Sequence, residues 1–408
     1  MKIFIYGLNF SPELIGVGKF TGEMAEWLAD QKNSVRVLTA NPYYPSWKVF
    51  QNFSPLLYSR DTINKNLCVY RCPLYVPRHP SGIKRIFHLA SFVLSSLPLL
   101  FSHIFWRPGI LIVIQPTFGC LFPAWIFSKL TGAKLWLHIQ DFEIDAAFSL
   151  GLISNRFLKK FIFSVESYLM SKCDRISSIS SSMLEFAIRK GCKPDKLIYF
   201  PNWTALNLKG AKIKDNVMYR QLEIPHNKII LLYSGNMGNK QGLESLVQVA
   251  KDLEKYTDIF FVFCGEGSEK LKFVKKCQGL TNVRFLNLLP NNLFPNLLNL
   301  TDIHLLPQIE AVSNLVMPSK LATMLASGRP IIAVTESNTE VSKVLRNNGM
   351  IVPPSNPMKF NDAILKLARD KKLRHALGKK SRQYAKNHFD KDKILNQFEK
   401  DLNHALFN

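Results

Sequence analysis

The stretch NLVMPSKLATMLASGRPIIA, from Asn314 to Ala333, is the part of the sequence that most clearly indicates the fold. A Pro-Ser-Lys start precedes a short amphipathic helix, Gly-Arg-Pro ends it, and an apolar β-type run follows at once. Ser319 is expected to cap the helix, Lys320 to place a cation at its start, and Gly328 to end it. The free N–H groups of such a helix start and the lysine together favour a pyrophosphate ligand. The alternative is an ordinary capped amphipathic helix.

The same alternation of strand and helix patterns continues through the 408 residues. One cycle begins with the predicted strand Ile3–Tyr6 and a second with the predicted strand Ile229–Tyr233. This alternation predicts two Rossmann-like, doubly wound α/β domains that face a central cleft. The predicted boundaries are residues 1–205 for the first domain, 206–228 for a linker and 229–390 for the second domain. Residues 391–408 are expected to form a helix that packs back on the first domain.

The net charge of +23 is unevenly distributed along the chain. No acidic residue occurs between Asp61 and Asp141, whereas Lys and Arg occupy eight positions there, around the apolar run Ile86–Trp106. This pattern suits an anionic membrane surface better than nucleic acid, for which no motif is present. Pro98 and several polar residues argue against a membrane-spanning helix. We therefore expect a helix packed on a sheet with one face in the lipid interface; a fully buried helix is the alternative.

The seven cysteines form no CxxC pair and show no metal-ligand spacing. This usage favours buried free thiols in a reducing compartment. The N-terminal apolar run is too short for a signal peptide. The sequence therefore predicts a cytoplasmic protein, attached peripherally to the inner face of the cytoplasmic membrane and without a bound metal.

Three more loops follow predicted strands and are candidates to hold a ligand. Gly16 and Gly18 lie at the start of the first helix, where glycines let backbone N–H groups approach an oxygen anion or simply turn the chain. Gly235 and Lys240 lie in YSGNMGNKQGLESL, a glycine-rich loop with a lysine that suits a diphosphate. Glu266 follows a further strand and faces either a ligand or solvent.

A polar segment, WLHIQDFEIDAAF from Trp136 to Phe148, follows a strand of the first domain. His138, Asp141, Glu143 and Asp145 lie in it. If a sugar lies between the domains, His138 or Asp141 could contact its hydroxyls or help to move a proton. A structural histidine is the alternative for His138.

Taken together, these motifs resemble the retaining GT-B glycosyltransferases of family 4. Within that family, the sequence looks most like the colanic-acid fucosyltransferase and O-antigen L-fucosaminyltransferase group. The resemblance covers nearly the whole chain, and its marks are YGLNFSPELIGVGKFTGEMAEWL, TANPYYPSW, HIQDFEID, FPNW, YSGNMGNKQGLESL and PSKLATMLASGRP.

The resemblance implies the GT-B fold, a nucleotide-sugar donor held mainly by the second domain, and no metal or other cofactor. It also implies a polyprenyl-diphosphate-linked acceptor held by the first domain at the membrane. The candidate site residues fall into three groups: His138, Asp141 and Lys320 as catalytic; Gly235, Asn236, Lys240, Ser319 and Lys320 at the donor diphosphate; and Gly16, Gly18, Glu266 and Thr323 at the donor sugar or ribose.

Two features depart from the family pattern. Many relatives carry two glutamates eight positions apart, which correspond to Leu315 and Thr323 here, and Thr323 is expected to contact the ribose only weakly. The arginine and lysine of the relatives' diphosphate loop correspond to Asn236 and Gln241. Lys240 is the expected substitute for the missing lysine.

The predicted function is retaining transfer of a deoxyhexose, of the L-fucose or N-acetyl-L-fucosamine type, from a nucleoside diphosphate. The acceptor is expected to be a lipid-linked oligosaccharide in the synthesis of O-antigen, capsule or exopolysaccharide. One alternative is a nucleotide-sugar epimerase of the same fold. The other is a non-catalytic, membrane-bound subunit of an assembly complex.

Overall fold

The computed structural model describes residues 1–78, 82–142, 144–145, 148, 156–204, 216–238, 241–290, 292–309 and 317–407. These residues form two compact units. The first unit comprises Met1–Pro201 and Asp392–Asn408, with Met317, and the second comprises Asn202–Asn314 and Pro318–Lys391. Each unit is built on a sheet of mainly parallel strands connected by helices. The predicted two-domain α/β architecture is therefore confirmed.

Within the described residues, the sheet of the first unit has eight strands in the order β3-β4-β2-β1-β5-β6-β7-β8. Its pairs are parallel except for β3 and β4, which are antiparallel at one edge. At its centre, Ile3 of β1 lies opposite Val35 of β2 and Ile110 of β5. The strands are β1 Lys2–Gly7, β2 Ser34–Ala40, β3 Ser59–Asn64, β4 Leu67–Cys72, β5 Ile110–Gln115, β6 Lys134–Ile139, β7 Arg175–Ser178 and β8 Leu197–Tyr199.

Helices connect these strands and cover the sheet, which is why β1 and β5 are almost continuously apolar and buried. The helices of this part of the chain are α1 Gly16–Asp30, α2 Gly82–Ser102, α3 Leu121–Thr131, α4 Arg156–Ser171 and α5 Ser181–Arg189. Short 3₁₀ turns occur at Ile104–Trp106, Phe118–Cys120 and Pro194–Lys196.

The described residues of the second unit form a six-stranded parallel sheet in the order β11-β10-β9-β12-β13-β14. Its strands are β9 Ile229–Asn236, β10 Ile259–Glu266, β11 Val283–Leu286, β12 Ile303–Pro307, β13 Ile331–Val334 and β14 Gly349–Val352. Its helices are α6 Asn216–Gln221, α7 Leu243–Asp252, α8 Lys270–Lys276, α9 Phe294–Leu300, α10 Lys320–Ser327, α11 Glu340–Leu345, α12 Pro357–Arg369 and α13 Lys371–His388.

The predicted linker, residues 206–228, is not a connector throughout. Its later part forms α6, and Tyr219 and Ile224 are buried in a hydrophobic cluster of the second unit. The backbone N–H of Ile224 donates to the carbonyl of Tyr219 and closes the helix end. A short, polar helix with so few apolar residues gives too weak a periodic pattern to be identified from sequence.

The last helix, α14 (Lys391–Phe407), belongs to the first unit, although the chain before it belongs to the second. Phe398 of α14 stacks on Phe200, with ring centroids 3.8 Å apart and planes 6° apart. It also meets the edge of Trp136 at 5.3 Å. Asn33 donates a hydrogen bond of 2.8 Å to Glu399 of the same helix. An aromatic cluster therefore fixes α14 on the first unit.

Helix α2 packs on the first sheet through one narrow stripe, formed by His88, Phe92, Ser96 and Leu100. The hydroxyls of Tyr6 and Ser96 lie 2.5 Å apart, which ties the helix to β1. Among the described residues, α2 is the helix long and apolar enough to cross a membrane, and 22% of its most apolar segment is buried. The other residues of α2 are half-buried or exposed.

Candidate functional site

The loops after β9 and β10 form one backbone platform in the second unit. Gly235 of β9 lies opposite Gly265 of β10 in the sheet. A Cβ atom at Gly265 would lie 1.9 Å from the carbonyl oxygen of Gly235, so only glycine allows this approach. Beyond the strands, the N–H of Met237 donates to the carbonyl of Glu266 at 2.7 Å. The position of Gly235 is therefore fixed from two sides.

Lys320 lies across this platform. Gly235 has a φ of +114°, and a Cβ atom there would lie 3.6 Å from Cδ of Lys320. The ammonium Nζ lies 3.7 Å from the ring centroid of Tyr233, over its face. The Tyr233 hydroxyl in turn donates to the carbonyl of Asn236 at 2.5 Å. Lysine, aromatic ring and glycine backbone thus meet where β9 ends.

The Nζ of Lys320 is buried and has no hydrogen-bond partner among the residues that the structure describes. Burial lowers the pKa of this ammonium group to about 7. A buried cation without a counter-charge costs free energy unless a partner is supplied. The contact with Tyr233 offsets only part of that cost, since cation–π interactions contribute about 0.5–2 kcal/mol. The arrangement therefore favours an anionic ligand.

The start of α10 differs from the prediction in one respect. Ser319 has a helical backbone, with φ −57° and ψ −23°, and its side chain makes no capping hydrogen bond. The N–H of Leu321 donates instead to the carbonyl of Pro318 at 3.0 Å. Because the carbonyl of Pro318 accepts this N–H, the backbone and not the Ser319 side chain satisfies one of the free donors at the helix start. The prediction that Ser319 caps α10 is wrong.

The end of α10 is as expected. Gly328 has a φ of +70°, and its N–H donates to the carbonyl of Leu325. Arg382 of α13 donates to the carbonyl of Ser327 at 2.9 Å and holds the helix end. Because Gly328 also packs against the Arg382 guanidinium, a larger residue there would displace it.

Three other predicted donor residues lie near this platform, and one lies outside the described residues. Asn236 is half-buried at the end of β9, and Thr323 is half-buried one turn after Lys320 on α10. Glu266 accepts a hydrogen bond of 2.6 Å from Lys270, which also donates to Asn287 at 2.7 Å. The proposed contacts of Asn236, Thr323 and Glu266 with a donor stay predictions. Lys240 lies outside the described residues.

His304 of β12 is a buried neighbour that the sequence reading missed. Its Nε2 lies 2.9 Å from the hydroxyl of Ser327 at the end of α10. Burial, followed by the positive charges of Arg329 and Lys320, lowers the pKa of His304 to about 3. A histidine within an apolar strand was the available signal. Because it is neutral near pH 7, it adds no second cation to the site.

In the first unit, His138 is held inside the sheet and is 3% exposed. Its Nδ1 lies 2.9 Å from the hydroxyl of Ser177, and its Nε2 lies 2.9 Å from Nε2 of Gln140. Burial lowers the pKa of His138 to about 3. With both ring nitrogens occupied by side chains, the geometry favours the structural reading of His138 over the catalytic one.

The carboxylates predicted beside His138 separate into different environments. Asp141 is half-buried, and its charge, after burial, contributes to raising the pKa of Tyr44. Asp145 is buried and pairs with Lys190 at 2.8 Å. Glu166 is a second, very close partner of the same lysine. Asp145 therefore has a structural partner, Asp141 stays a candidate, and Glu143 lies outside the described residues.

Glu13 is a buried carboxylate that the sequence reading did not identify. Its Oε1 accepts the N–H groups of Tyr43 and Tyr44 at 3.1 and 3.0 Å, and its Oε2 accepts from Asn9 at 3.0 Å. A Cβ atom at Gly18 would lie 2.4 Å from Oε2. Gly18 thus makes room for Glu13, and Gly16 begins α1 with a φ of +66°. The local structure therefore explains why glycine occupies both positions. The predicted contacts of Gly16 and Gly18 with a ligand stay predictions.

Among the described residues, no group of three or more His, Cys, Asp or Glu side chains is placed to hold a metal ion. The cysteines of the described residues are free.

Comparison with known proteins adds two family matches. Residues 216–384 match a family model described as glycosyl transferases group 1. Residues 16–203 match a model described as a glycosyl transferase 4-like domain. The putative colanic acid biosynthesis glycosyl transferase WcaI of Escherichia coli (strain K12) is 38% identical over 411 aligned residues. That alignment covers 98% of this chain and 100% of the relative.

Solved structures share the fold at low sequence identity. Sucrose-phosphate synthase from Thermosynechococcus elongatus superposes with a TM-score of 0.74 at 15% identity, covering 100% of this chain and 99% of that one. Anabaena Alr3699/HepE in complex with UDP-glucose superposes with a TM-score of 0.70 at 14% identity, covering 98% of this chain and 99% of that one.

Proposed function

Because this chain belongs to the group 1 glycosyltransferases and is a glycosyltransferase of GT-B fold, we propose that it transfers a deoxyhexose from a nucleoside diphosphate to a lipid-linked oligosaccharide. The product would be a surface polysaccharide of the O-antigen, capsule or exopolysaccharide class. Support for this class comes from the printed name of the E. coli relative, which refers to colanic acid biosynthesis. The match to transferase families favours transfer over the epimerase and the non-catalytic alternatives.

The observation that carries the donor site is the buried, unpartnered Nζ of Lys320 beside Gly235. A diphosphate placed there would neutralise the ammonium. It would also interact favourably with the partial positive charge at the N-terminus of α10. The UDP-glucose complex of Anabaena HepE supports a nucleoside diphosphate as the donor class. The sugar itself is inferred from the motif resemblance to fucosyl- and fucosaminyltransferases.

In the proposed reaction, the bond between the sugar's anomeric carbon and the diphosphate oxygen breaks as an acceptor hydroxyl attacks from the same face. Negative charge develops on the departing diphosphate, and Lys320 stabilises it. The diphosphate oxygen takes the acceptor's proton, so the reaction needs no histidine base. This accords with His138, whose two ring nitrogens are occupied within the sheet.

The Lys320→Ala variant tests the donor site. We expect turnover to fall at least about tenfold, which corresponds to about 1.4 kcal/mol of transition-state stabilisation. The matched control is Lys272→Ala, since Lys272 is exposed on α8 of the same unit. Sugar transfer from a panel of nucleoside diphosphate sugars is measured with a polyprenyl-diphosphate-linked acceptor extract. Near-native transfer by Lys320→Ala, with folding intact, would remove Lys320 from the chemistry.

We also propose that the first unit binds the membrane surface through α2. Ile83, Ile86, Phe87 and Leu94 of this helix are exposed, and Leu94 is 67% exposed. The Tyr58 hydroxyl donates to the carbonyl of Ser95, which places the loop bearing the exposed Leu56 and Leu57 beside α2. Lys84 and Arg85 lie on the same helix and suit anionic headgroups.

Vesicle flotation tests the membrane proposal. We expect the protein to float with anionic vesicles and to stay behind with neutral ones, because the basic residues supply part of the affinity. Phe87→Glu should abolish flotation, whereas Leu271→Glu, at an even more exposed position on α8 of the second unit, should not. A wild-type protein that stays in the soluble fraction with anionic vesicles would contradict this proposal.

A further inference from the structure

The first unit carries a second apolar feature besides the exposed face of α2. An open groove of about 380 Å³ lies between helices α3 and α4, and we call it the α3–α4 groove. Gly119 and Phe122 line one side, and Phe161, Val165 and Tyr168 line the other. Phe161 is 67% exposed, and Phe122 and Tyr168 are also exposed. A cluster of exposed aromatic side chains around one groove marks a binding surface.

The rim of the α3–α4 groove is cationic. Lys172 lies with its Nζ 4.6 Å from the ring centroid of Tyr168. Lys160 lies one turn before Ser164, another groove residue, whose hydroxyl donates to the Lys160 carbonyl. Helix α3 has no acidic residue, and the acidic residue of α4, Glu166, is buried and paired with Lys190. The groove therefore combines an apolar floor with a rim that attracts anions.

The groove adjoins helix α2. Gly119, at its edge, approaches α2 so closely that a Cβ atom there would lie 3.0 Å from Cγ2 of Val93. The groove therefore lies beside the helix that we propose to be at the lipid surface. The volume lies in the range of small-ligand sites, about 300–1,000 Å³, and suits a single chain better than a folded partner.

We infer that the α3–α4 groove holds the isoprenoid chain of a phosphate-bearing acceptor lipid, with the rim lysines beside its phosphates. The inference rests on the proposed function for the class of lipid, and on the groove itself for the location. Trp125 packs behind the groove, with its ring centroid 6.3 Å from that of Tyr168 and at an angle of 81°. Its fluorescence is therefore a local reporter of occupancy.

The test is a titration of the full-length protein with farnesyl phosphate, followed by tryptophan fluorescence. Saturating UDP is present so that the second unit's site is occupied. The fluorescence change should disappear in Trp125→Phe. Ser164→Trp fills the groove and Phe161→Asp makes it polar, and each should weaken binding at least about tenfold through lost apolar contact. Phe407→Asp is the matched control, since Phe407 is 84% exposed elsewhere on the same unit.

Unchanged affinity in both groove variants would overturn the inference. Dodecyl phosphate, with a linear chain, should bind more weakly than farnesyl phosphate, and equal binding would contradict the assignment to an isoprenoid. Displacement of the probe by millimolar inorganic phosphate would show an anion site alone and would also contradict it. Thermal melting checks that each variant is folded.

Sugar transfer separates this inference from the proposed function. If the groove variants lose the probe, their KM for a lipid-linked acceptor should rise while transfer to a lipid-free acceptor saccharide is unchanged. A wild-type protein that binds the probe but transfers no sugar would contradict the proposed function. Normal transfer with no binding of the probe would contradict the groove assignment alone.

Discussion

At the scale of single residues, two buried ionisable groups show what burial does to chemistry. Lys320 of α10 is a cation without a counter-charge, and its pKa is lowered to about 7. Glu13 is a carboxylate surrounded by N–H donors, and its pKa is nevertheless raised to about 7 because burial outweighs them. Both groups therefore change charge near neutral pH, and each makes a measurable quantity depend on pH.

Affinity for a nucleoside diphosphate should fall as the pH rises above about 7. In the free protein, Lys320 loses its proton there, whereas a bound diphosphate raises its pKa again, so binding at higher pH must take up a proton. Calorimetry with UDP between pH 6 and 9 measures the slope. Lys320→Arg stays charged throughout and should flatten it. Identical slopes for the two proteins would show that Lys320 does not contact the ligand.

Because of Glu13, the free energy of unfolding should decrease as the pH rises from 4.5 to about 7. Its pKa in the fold is about 7, above its ordinary value of 4.5, so the fold retains a proton that the unfolded chain releases in this window. The stabilisation is complete below pH 4.5 and is lost by pH 7, by up to about 3 kcal/mol. Urea unfolding should show this loss in the wild type relative to Glu13→Gln, where the side chain does not titrate.

The comparison between those two proteins is essential, because His138 and His304 act in the opposite direction. Their pKa values are lowered to about 3, so they make the fold more stable as the pH rises toward 6.5. The wild type and Glu13→Gln both contain these histidines, so their contribution cancels in the difference between the two free energies of unfolding. A pH-independent difference would show that Glu13 is ionised in the fold.

At the scale of elements, strands with an apolar run were predictable, and the polar edge strand β3 was not. β1 and β9 are apolar runs that were predicted as strands, and the structure extends them by two and three residues. The edge strand β3, with sequence SRDTIN, is mostly exposed and has no such pattern. It exists because β4 offers it an antiparallel partner, which no local sequence signal reveals.

The same distinction applies to the candidate site. Lys320 could be found because proline, lysine and glycine mark the limits of α10 locally. The hydrogen bonds that occupy His138 could not be predicted from local sequence, because Ser177 lies on a strand 39 residues away. Nor could the role of Glu13, whose partners Tyr43 and Tyr44 lie 30 and 31 residues away. Local motifs locate a site, and packing between distant segments decides what each side chain can do.

The close pairing of β9 and β10 predicts a strong effect of a small change. Gly265→Ala places a methyl group against the carbonyl of Gly235, so the strands must separate at the platform that supports Lys320. We expect a loss of about 2–3 kcal/mol in the free energy of unfolding, as for overpacked interiors, and weaker UDP binding. Gly279→Ala is the control, because its φ of +90° is strained but no atom lies nearby. It should cost roughly 1–2 kcal/mol and leave UDP binding unchanged.

At the scale of the whole molecule, the chain enters the second unit after Pro201 and, apart from Met317, returns to the first at Asp392. The sequence indicated two α/β domains and a returning helix, but its limits for the linker included α6, which packs within the second unit. The returning helix α14 contributes Phe398 to the aromatic cluster with Trp136 and Phe200. The first unit is therefore assembled from segments at opposite ends of the described chain.

Phe398→Ala should destabilise the first unit specifically. Removal of a buried aromatic side chain from a packed cluster costs about 3–5 kcal/mol. Hydrogen exchange should show faster opening of β6 and β8, whereas the amides of β9 and β10 should be unaffected. Phe407→Ala, at an exposed position on the same helix, is the control and should change little. Equal acceleration in both units would mean that they unfold as one.

The position of α14 also has a consequence for synthesis on the ribosome. Residues 1–201 emerge before roughly 190 further residues that separate them from α14, a delay of about 10–40 s at about 5–20 residues per second. During that interval, the nascent first unit presents Trp136 and Phe200 without their cover. A fragment that ends at Pro201 should therefore bind a hydrophobic dye, and a separate peptide of residues 391–407 should reduce that binding. A fragment that binds no dye would show that the nascent unit protects this surface by itself.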